Sequence, residues 1–211
     1  MTGSPVAGVL LAAGEGSRFG KPKALVELHG ERLADRGVAL LRDGGAAPVI
    51  VVTGAARLDL AGPGVILVHN PAWRNGMGSS LAAGLQAVPA DAPAAIIALV
   101  DQPLVSWRAV QRLISAYHGG ARVAVAGYRG APRNPVLLAR EHWAEVTRLA
   151  VGDVGARRFV RAHPELVTLV ECGDIGDAAD VDTQEDLADI SALISAGKTP
   201  APRRGSHSRP D

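Results

Sequence analysis

Five runs of this chain are apolar almost without interruption: VAGVLLAA (6–13), PVIVVTG (48–54), GVILVHN (64–70), AAIIALVDQP (94–103) and ARVAVAGY (121–128). A strand with one wet face alternates apolar and polar residues, whereas a run that does not alternate is covered on both faces. Each run is short, rich in Val, Ile or Ala, and bounded by turn-forming residues, which fits a strand better than a buried helix. Between and after the runs lie stretches of helical length and period at 33–43, 78–88, 106–118, 141–150 and 184–196. Strands alternating with helices predict an α/β fold, a three-layer, doubly wound, mostly parallel sheet with helices on both faces. Residues 133–139 (RNPVLLA) and 166–171 (LVTLVE) read as further strands, added antiparallel.

The 211 residues suffice for one domain, placed at 1–197. The tail 198–211, KTPAPRRGSHSRPD, is rich in Pro, Ser and Arg without an apolar period and reads as disordered. Only 3% of the residues are aromatic, so the core must be built from Val, Leu, Ile and Ala. A formal net charge of +1 with no basic block argues against a nucleic-acid or membrane-surface partner. The single cysteine, Cys172, excludes an intrachain disulfide and a cysteine-based metal cluster, and fits a reducing, cytoplasmic setting. Residues 5–13 lack the basic flank of a signal peptide and run into a charged loop, so they read as a strand. No apolar segment is long enough to cross a bilayer. The six histidines show no ligand spacing.

The first strand opens into LLAAGEGSRFGKPKAL (10–25), which holds two of the chain's three lysines, Lys21 and Lys23. The compact ammonium of lysine suits a phosphate. Two familiar phosphate loops fail here. Gly14 and Gly20 are separated by five residues rather than the four of a P-loop, and Pro22 stands where its hydroxyl residue belongs. The dinucleotide fingerprint needs two residues between its second and third glycines, and Gly16 and Gly20 enclose three. What remains is a glycine loop whose backbone N–H groups can face an anion, with Arg18 and Lys23 adding charge. A plain βα turn with solvated basic residues is the alternative.

The segment LAAGEGSRFGKPK is similar to the signature loop of the MobA-like nucleotidyltransferases, and within them most resembles the molybdenum cofactor cytidylyltransferases. The likeness continues through NPAWRNGMGSSLAAGL (70–85), ALVDQPLV (98–105), RNPVLL (133–138), GDVGARRF (152–159) and DVDTQEDL (180–187), roughly residues 6–195. Val100, Arg133 and Gln184 stand where that family more often has Gly, Gly and Pro. The resemblance implies catalytic roles for Arg18, Lys23 and Asp101. It implies nucleotide contacts from Leu11, Ala12, Ala13, Gly14, Gly16, Ser17, Arg18 and Lys23, and from Asn75, Gly76, Met77, Gly78, Ser79 and Ser80. It places the acceptor near Asn134, Pro135, Gly152, Asp153, Gly155, Ala156 and Arg157, and a Mg2+ ion on Asp101 with Asp182 or Asp180.

The residues themselves are compatible with that chemistry. Nucleotidyl transfer spreads negative charge over the reacting phosphate, so positioned cations supply most of the catalysis. Asp101 follows the most apolar strand and so falls at the carboxyl edge of the sheet, where α/β proteins bind ligands. Asp180 and Asp182 share a face if their segment is extended. The plainer readings are a turn cap for Asp101, a helix N-cap for Asp180 or Asp182, and a solvated Arg157/Arg158 helix face. The implied activity moves CMP from CTP to the terminal phosphate of molybdenum-loaded molybdopterin and releases pyrophosphate, with a receiving molybdoenzyme as a further partner. Alternatives are GTP or another NTP with molybdopterin, a phospholactate-like acid or a sugar or polyol phosphate, and a non-catalytic molybdenum cofactor chaperone.

Overall fold

The computed structural model describes residues 5–60 and 62–197. In chain order the strands are β1 (Ala7–Leu11), the short pair β2 (Glu27–Leu28) and β3 (Glu31–Arg32), β4 (Val49–Thr53), β5 (Val65–His69), β6 (Ala94–Leu99), β7 (Val123–Tyr128), β8 (Ala131–Ala139) and β9 (Val167–Glu171). The helices are α1 (Leu33–Asp43), α2 (Met77–Ala87), α3 (Trp107–His118), α4 (Trp143–Leu149), α5 (Arg157–Ala162) and α6 (Gln184–Ser195). The tail read as disordered, 198–211, lies outside the described residues.

Seven strands make one sheet in the order β5-β4-β1-β6-β8-β7-β9, with β2 and β3 pairing separately. Only β8 runs against the others. Of the two expected antiparallel additions, one is therefore parallel, and the connections explain why. β7 passes to β8 through Arg129 and Gly130 alone, both at positive φ (57° and 74°), a two-residue hairpin that can join only antiparallel neighbours. β9 is reached through α4 and α5, a crossover long enough to restore the parallel direction.

The sheet separates two apolar layers. Along β1, Ala7, Val9 and Leu11 pack with Leu81 and Leu85 of α2, Trp143 of α4 and Phe159 of α5. Leu10 and the adjoining Ala12 pack on the opposite face with Val38 and Leu41 of α1 and Val110 and Leu113 of α3. This is the three-layer, doubly wound arrangement that the unbroken apolar runs imply. β5 departs from the double burial expected of it. It is an edge strand, and Ile66 and Leu67 remain 39% and 42% exposed.

The winding fixes where a ligand can sit. From β1 the chain moves outward to β4 and β5, then returns to β6 on the other side of β1. β1 and β6 are neighbours, with Leu11 opposite Leu99, and the chain passes from β1 to β4 on one side and from β6 to β7 on the other, with α1 and α3 on the same face. Such a switch point opens a crevice at the carboxyl ends of the strands. A third apolar cluster, Phe19, Val26, Leu28, Leu33, Val181 and Ile190, ties the loop after β1 to α6 above that crevice. Among the described residues, no helix is long and apolar enough to cross a membrane.

Candidate active site

After β1 the chain turns on Gly16. The N–H groups of Phe19 and Gly20 both donate to its carbonyl, at 2.9 and 2.8 Å. Gly16 has φ +64°, and a Cβ there would stand 2.1 Å from the Lys21 carbonyl oxygen, so only glycine closes this turn. Gly14 is different. A Cβ there would meet nothing within 4 Å, and the residue lies on the cleft wall. No contact of the fold requires glycine at 14, so the open space is room for a ligand to approach the backbone.

The chain then carries Lys23 inward. Its Nζ donates to Asp101 Oδ2 at 2.8 Å and to Asp182 Oδ1 at 2.6 Å, with the side chain only 16% exposed. Burial pulls the lysine pKa down, but the charge of Asp101 and the hydrogen bonds to both carboxylates more than offset it and hold it above its ordinary value. Lys21 does not line the cleft. Arg18 is 80% exposed, with Nη1 3.9 Å from Asp182 Oδ2.

Asp101 stands two residues beyond β6, and its carbonyl accepts from Val181 N at 2.8 Å, which stitches the 180–182 segment to the end of that strand. The plainer readings of these aspartates do not hold. Thr183 caps α6 in a capping box, with its hydroxyl accepting from Asp186 N and the Asp186 carboxylate accepting from Thr183 N and Asp182 N. The Asp101 and Asp182 carboxylates meet on Lys23 instead. Asp180 goes elsewhere: the buried Gln102 donates its amide to Asp180 Oδ1 at 2.9 Å, and Asp180 is absent from the cleft wall. Although part of its surface stays open, lost hydration and then the charge of Asp101 push its pKa up.

The cleft has a volume of about 630 Å3 and gathers much of what the sequence singled out. Leu11, Ala13, Gly14, Gly16, Ser17, Arg18 and Lys23 line it from the first loop, Gly76, Met77 and Ser80 from the second, with Asp101, Asp153 and Asp182. Several of the expected residues do not line it. Ala12 faces the opposite apolar layer. Asn75 is exposed on a 3-10 turn, outside the lining. Gly78 is a packing residue, because a Cβ there would lie 1.8 Å from the Ala150 carbonyl oxygen. The Ser79 hydroxyl donates back to the carbonyls of Ala72 and Gly76 and accepts from Asn70.

Of the residues expected near an acceptor only Asp153 lines the cleft, and its Oδ1 accepts from Met77 N at the start of α2. Gly152 backs onto Gly76, and Gly155 backs onto Met77. Ala156 and Arg157 lie at the start of α5, where Arg157 and Arg158 form the exposed helix face that was the plainer reading. Asn134 and Pro135 sit on β8, beside the carboxyl end of β6 but outside the lining.

Glu15, Trp73, Arg74, Leu99 and Val100 line the cleft without having been named as site residues. Trp73 carries the Arg74 guanidinium 4.3 Å over its ring, a cation–π contact. In so aromatic-poor a chain, a Trp-Arg pair just before the Gly-Met segment was the available signal. Asn70 was also missed. It is buried and donates to the hydroxyls of Ser79 and Ser80, shaping the second loop from behind.

Asp101 and Asp182 present hard carboxylate oxygens to a single cation, a donor pair that suits Mg2+ or Mn2+. Among the described residues, no group of three or more His, Cys, Asp or Glu side chains is placed to hold a metal. The pair therefore fits an ion that brings most of its ligands with it, as a metal on a triphosphate does.

Residues 8–167 match the MobA-like NTP transferase domain. Over 196 residues the chain is 37% identical to a protein of Paenarthrobacter nicotinovorans named nicotine blue oxidoreductase, covering 86% of this chain and 94% of that one. It is 36% identical over 111 residues to the molybdenum cofactor guanylyltransferase of Xanthomonas euvesicatoria pv. vesicatoria, covering 53% of this chain and 54% of the relative. Among solved structures it is similar to Rv0371C of Mycobacterium tuberculosis H37Rv in complex with manganese. That match has a TM-score of 0.73 at 25% identity and covers 90% of this chain and 100% of that one.

Proposed function

The chain belongs to the MobA-like NTP transferase family, and on that basis we propose that it is a Mg2+-dependent cytidylyltransferase acting on molybdenum-loaded molybdopterin. The observation that carries the reading is Lys23, held between Asp101 and Asp182 where a glycine loop opens onto the switch-point cleft. The backbone from Gly14 to Ser17 receives the polyphosphate, and Lys23 and Arg18 neutralise its charge. Asp101 and Asp182 hold the metal, which when bound withdraws charge from the phosphate that is transferred. A terminal phosphate oxygen of the acceptor attacks the α-phosphorus, the bond to the bridging oxygen breaks, and pyrophosphate leaves. Asp153 faces the cleft from the acceptor side, and Asn134, Pro135, Gly152, Gly155, Ala156 and Arg157 are proposed around it.

Nucleotide choice rests on Ala13. Of the two alanines before Gly14, this one lines the cleft while 4% exposed in the core beside Leu11, and a methyl that reaches the cleft wall would narrow the space a purine needs and a pyrimidine does not. The Ser80 hydroxyl on the cleft wall is the proposed partner of the cytosine edge, since Met77 N already donates to Asp153 and the Gly76 carbonyl accepts from Ser79. CTP with Mg2+ should raise the melting temperature more than GTP does, and Ala13→Gly should narrow the difference. Equal stabilisation by GTP would remove the cytidylyl assignment and leave the transferase. A second reading, an oxidoreductase using the same cleft, is favoured by the near full-length likeness to a protein named nicotine blue oxidoreductase. NADH and NADPH belong in the same melting panel, and stabilisation by them in place of Mg2+–NTP would select that reading.

A further inference from the structure

Lys23 does more in this structure than stand ready for a phosphate. Its one ammonium takes Asp101 Oδ2 and Asp182 Oδ1, one oxygen of each carboxylate on which a cation held by this pair would sit. A divalent ion bonded to carboxylate oxygens at roughly 2 Å would stand within about 5 Å of an ammonium that kept its hydrogen bonds. The lysine side chain is 16% exposed and Asp182 46% exposed, so solvent screens the repulsion only in part. Moving the lysine aside without a new partner would leave a largely buried charge unpaired. A triphosphate arriving with the metal removes both obstacles, because its oxygens ligate the metal and receive the displaced ammonium.

We infer that Lys23 locks the Asp101–Asp182 pair against bare divalent cations, so that the cleft takes metal and polyphosphate as one ligand. This inference rests on the reading of the cleft as a triphosphate site. Binding of the two components is then positively coupled, and the coupling is reciprocal. The exposed Arg18, 3.9 Å from Asp182 Oδ2, adds a weaker repulsion from the same side but does not bridge the pair.

The test is direct binding of Mn2+ without nucleotide, followed by loss of the free-ion electron paramagnetic resonance signal. Wild type should bind bare Mn2+ weakly, and Lys23→Gln should bind it about tenfold tighter, as expected when one like charge at close range is removed. Lys23→Arg keeps the charge and should stay as weak as wild type. If Lys23→Gln binds no tighter than wild type, or Lys23→Arg gains as much as Lys23→Gln, the lock is wrong. Thermal melting of wild type with Mn2+–CTP and Mn2+–tripolyphosphate is the separate arm. Stabilisation there keeps the triphosphate reading whatever the bare-metal result, and its absence with both ligands removes that reading and the lock with it.

Discussion

Gly14 and Gly16 are two residues apart and answer to different constraints. A methyl group at Gly14 meets no atom within 4 Å, whereas one at Gly16 strikes the Lys21 carbonyl and sits at φ +64°. Gly14→Ala should therefore melt as wild type does but lose most of its stabilisation by Mg2+–NTP. Gly16→Ala should lower stability by about 1–3 kcal/mol through local backbone strain. Equal melting temperatures for the two variants would contradict this division. At the other end of the cleft, Asp101→Ala should fold, because Lys23 keeps Asp182, but should reduce turnover by about 100-fold or more for want of a charge contact at the reacting phosphate. Lys23→Ala should cost about 100-fold in kcat/KM, and Lys21→Ala little, since Lys21 is exposed and off the cleft wall. The reverse ranking would mean that the loop is misread by two residues. The place of Lys23 and Asp101 on the cleft wall was legible in the sequence because the motif resemblance named them. Ala12, Gly78 and Ser79 were not legible in their actual roles, because a motif does not say which of its small residues pack and which face open space.

α6 carries Asp182 into the site without itself lining the cleft. Its first turn is fixed by Thr183 and Asp186, and its apolar face by Ile190, which packs with Phe19 of the glycine loop and with Val181. Thr183→Ala should cost about 1 kcal/mol of stability as a lost cap. Ile190→Ala should cost about 2–5 kcal/mol, since the side chain is almost fully buried. Both should also raise the KM for metal–nucleotide, because they loosen the segment that presents Asp182; stability losses with KM unchanged would separate α6 from the site. The helix limits were readable at α1, α2, α3 and α6 to within a residue or two, since each carries a long apolar stripe. The hairpin of β2 and β3 escaped because two-residue strands have no period to detect. The direction of β9 escaped because it is set by a crossover rather than by its own residues. β5 shows the same limit: its run is as apolar as β4, and only the strand order decides which is an edge.

The sheet's far end is held by carboxylates that lie off the cleft wall. Glu171 at the end of β9 accepts from the backbone N–H groups of Gly130, Gly173 and Arg129, which hold its carboxyl below the usual range. Asp174 is lowered by its paired hydrogen bonds from Arg112. A depressed carboxyl contributes stability that is present above its unfolded pKa and lost as pH falls through the folded one. The melting temperature should thus fall on acidification below about pH 4, and Glu171→Gln should flatten that fall. An unchanged acid profile in Glu171→Gln would show that other carboxylates set it. The cleft between β1 and β6 is proposed to transfer a nucleotidyl group using Lys23, Asp101 and Asp182. Pyrophosphate release tests it most directly, measured with Mg2+, each of the four NTPs and a molybdopterin-type acceptor, in wild type and Asp101→Ala. The account predicts acceptor-dependent pyrophosphate with CTP above the other three, and none above background in Asp101→Ala. No pyrophosphate from wild type with any NTP, or undiminished release from Asp101→Ala, would contradict it.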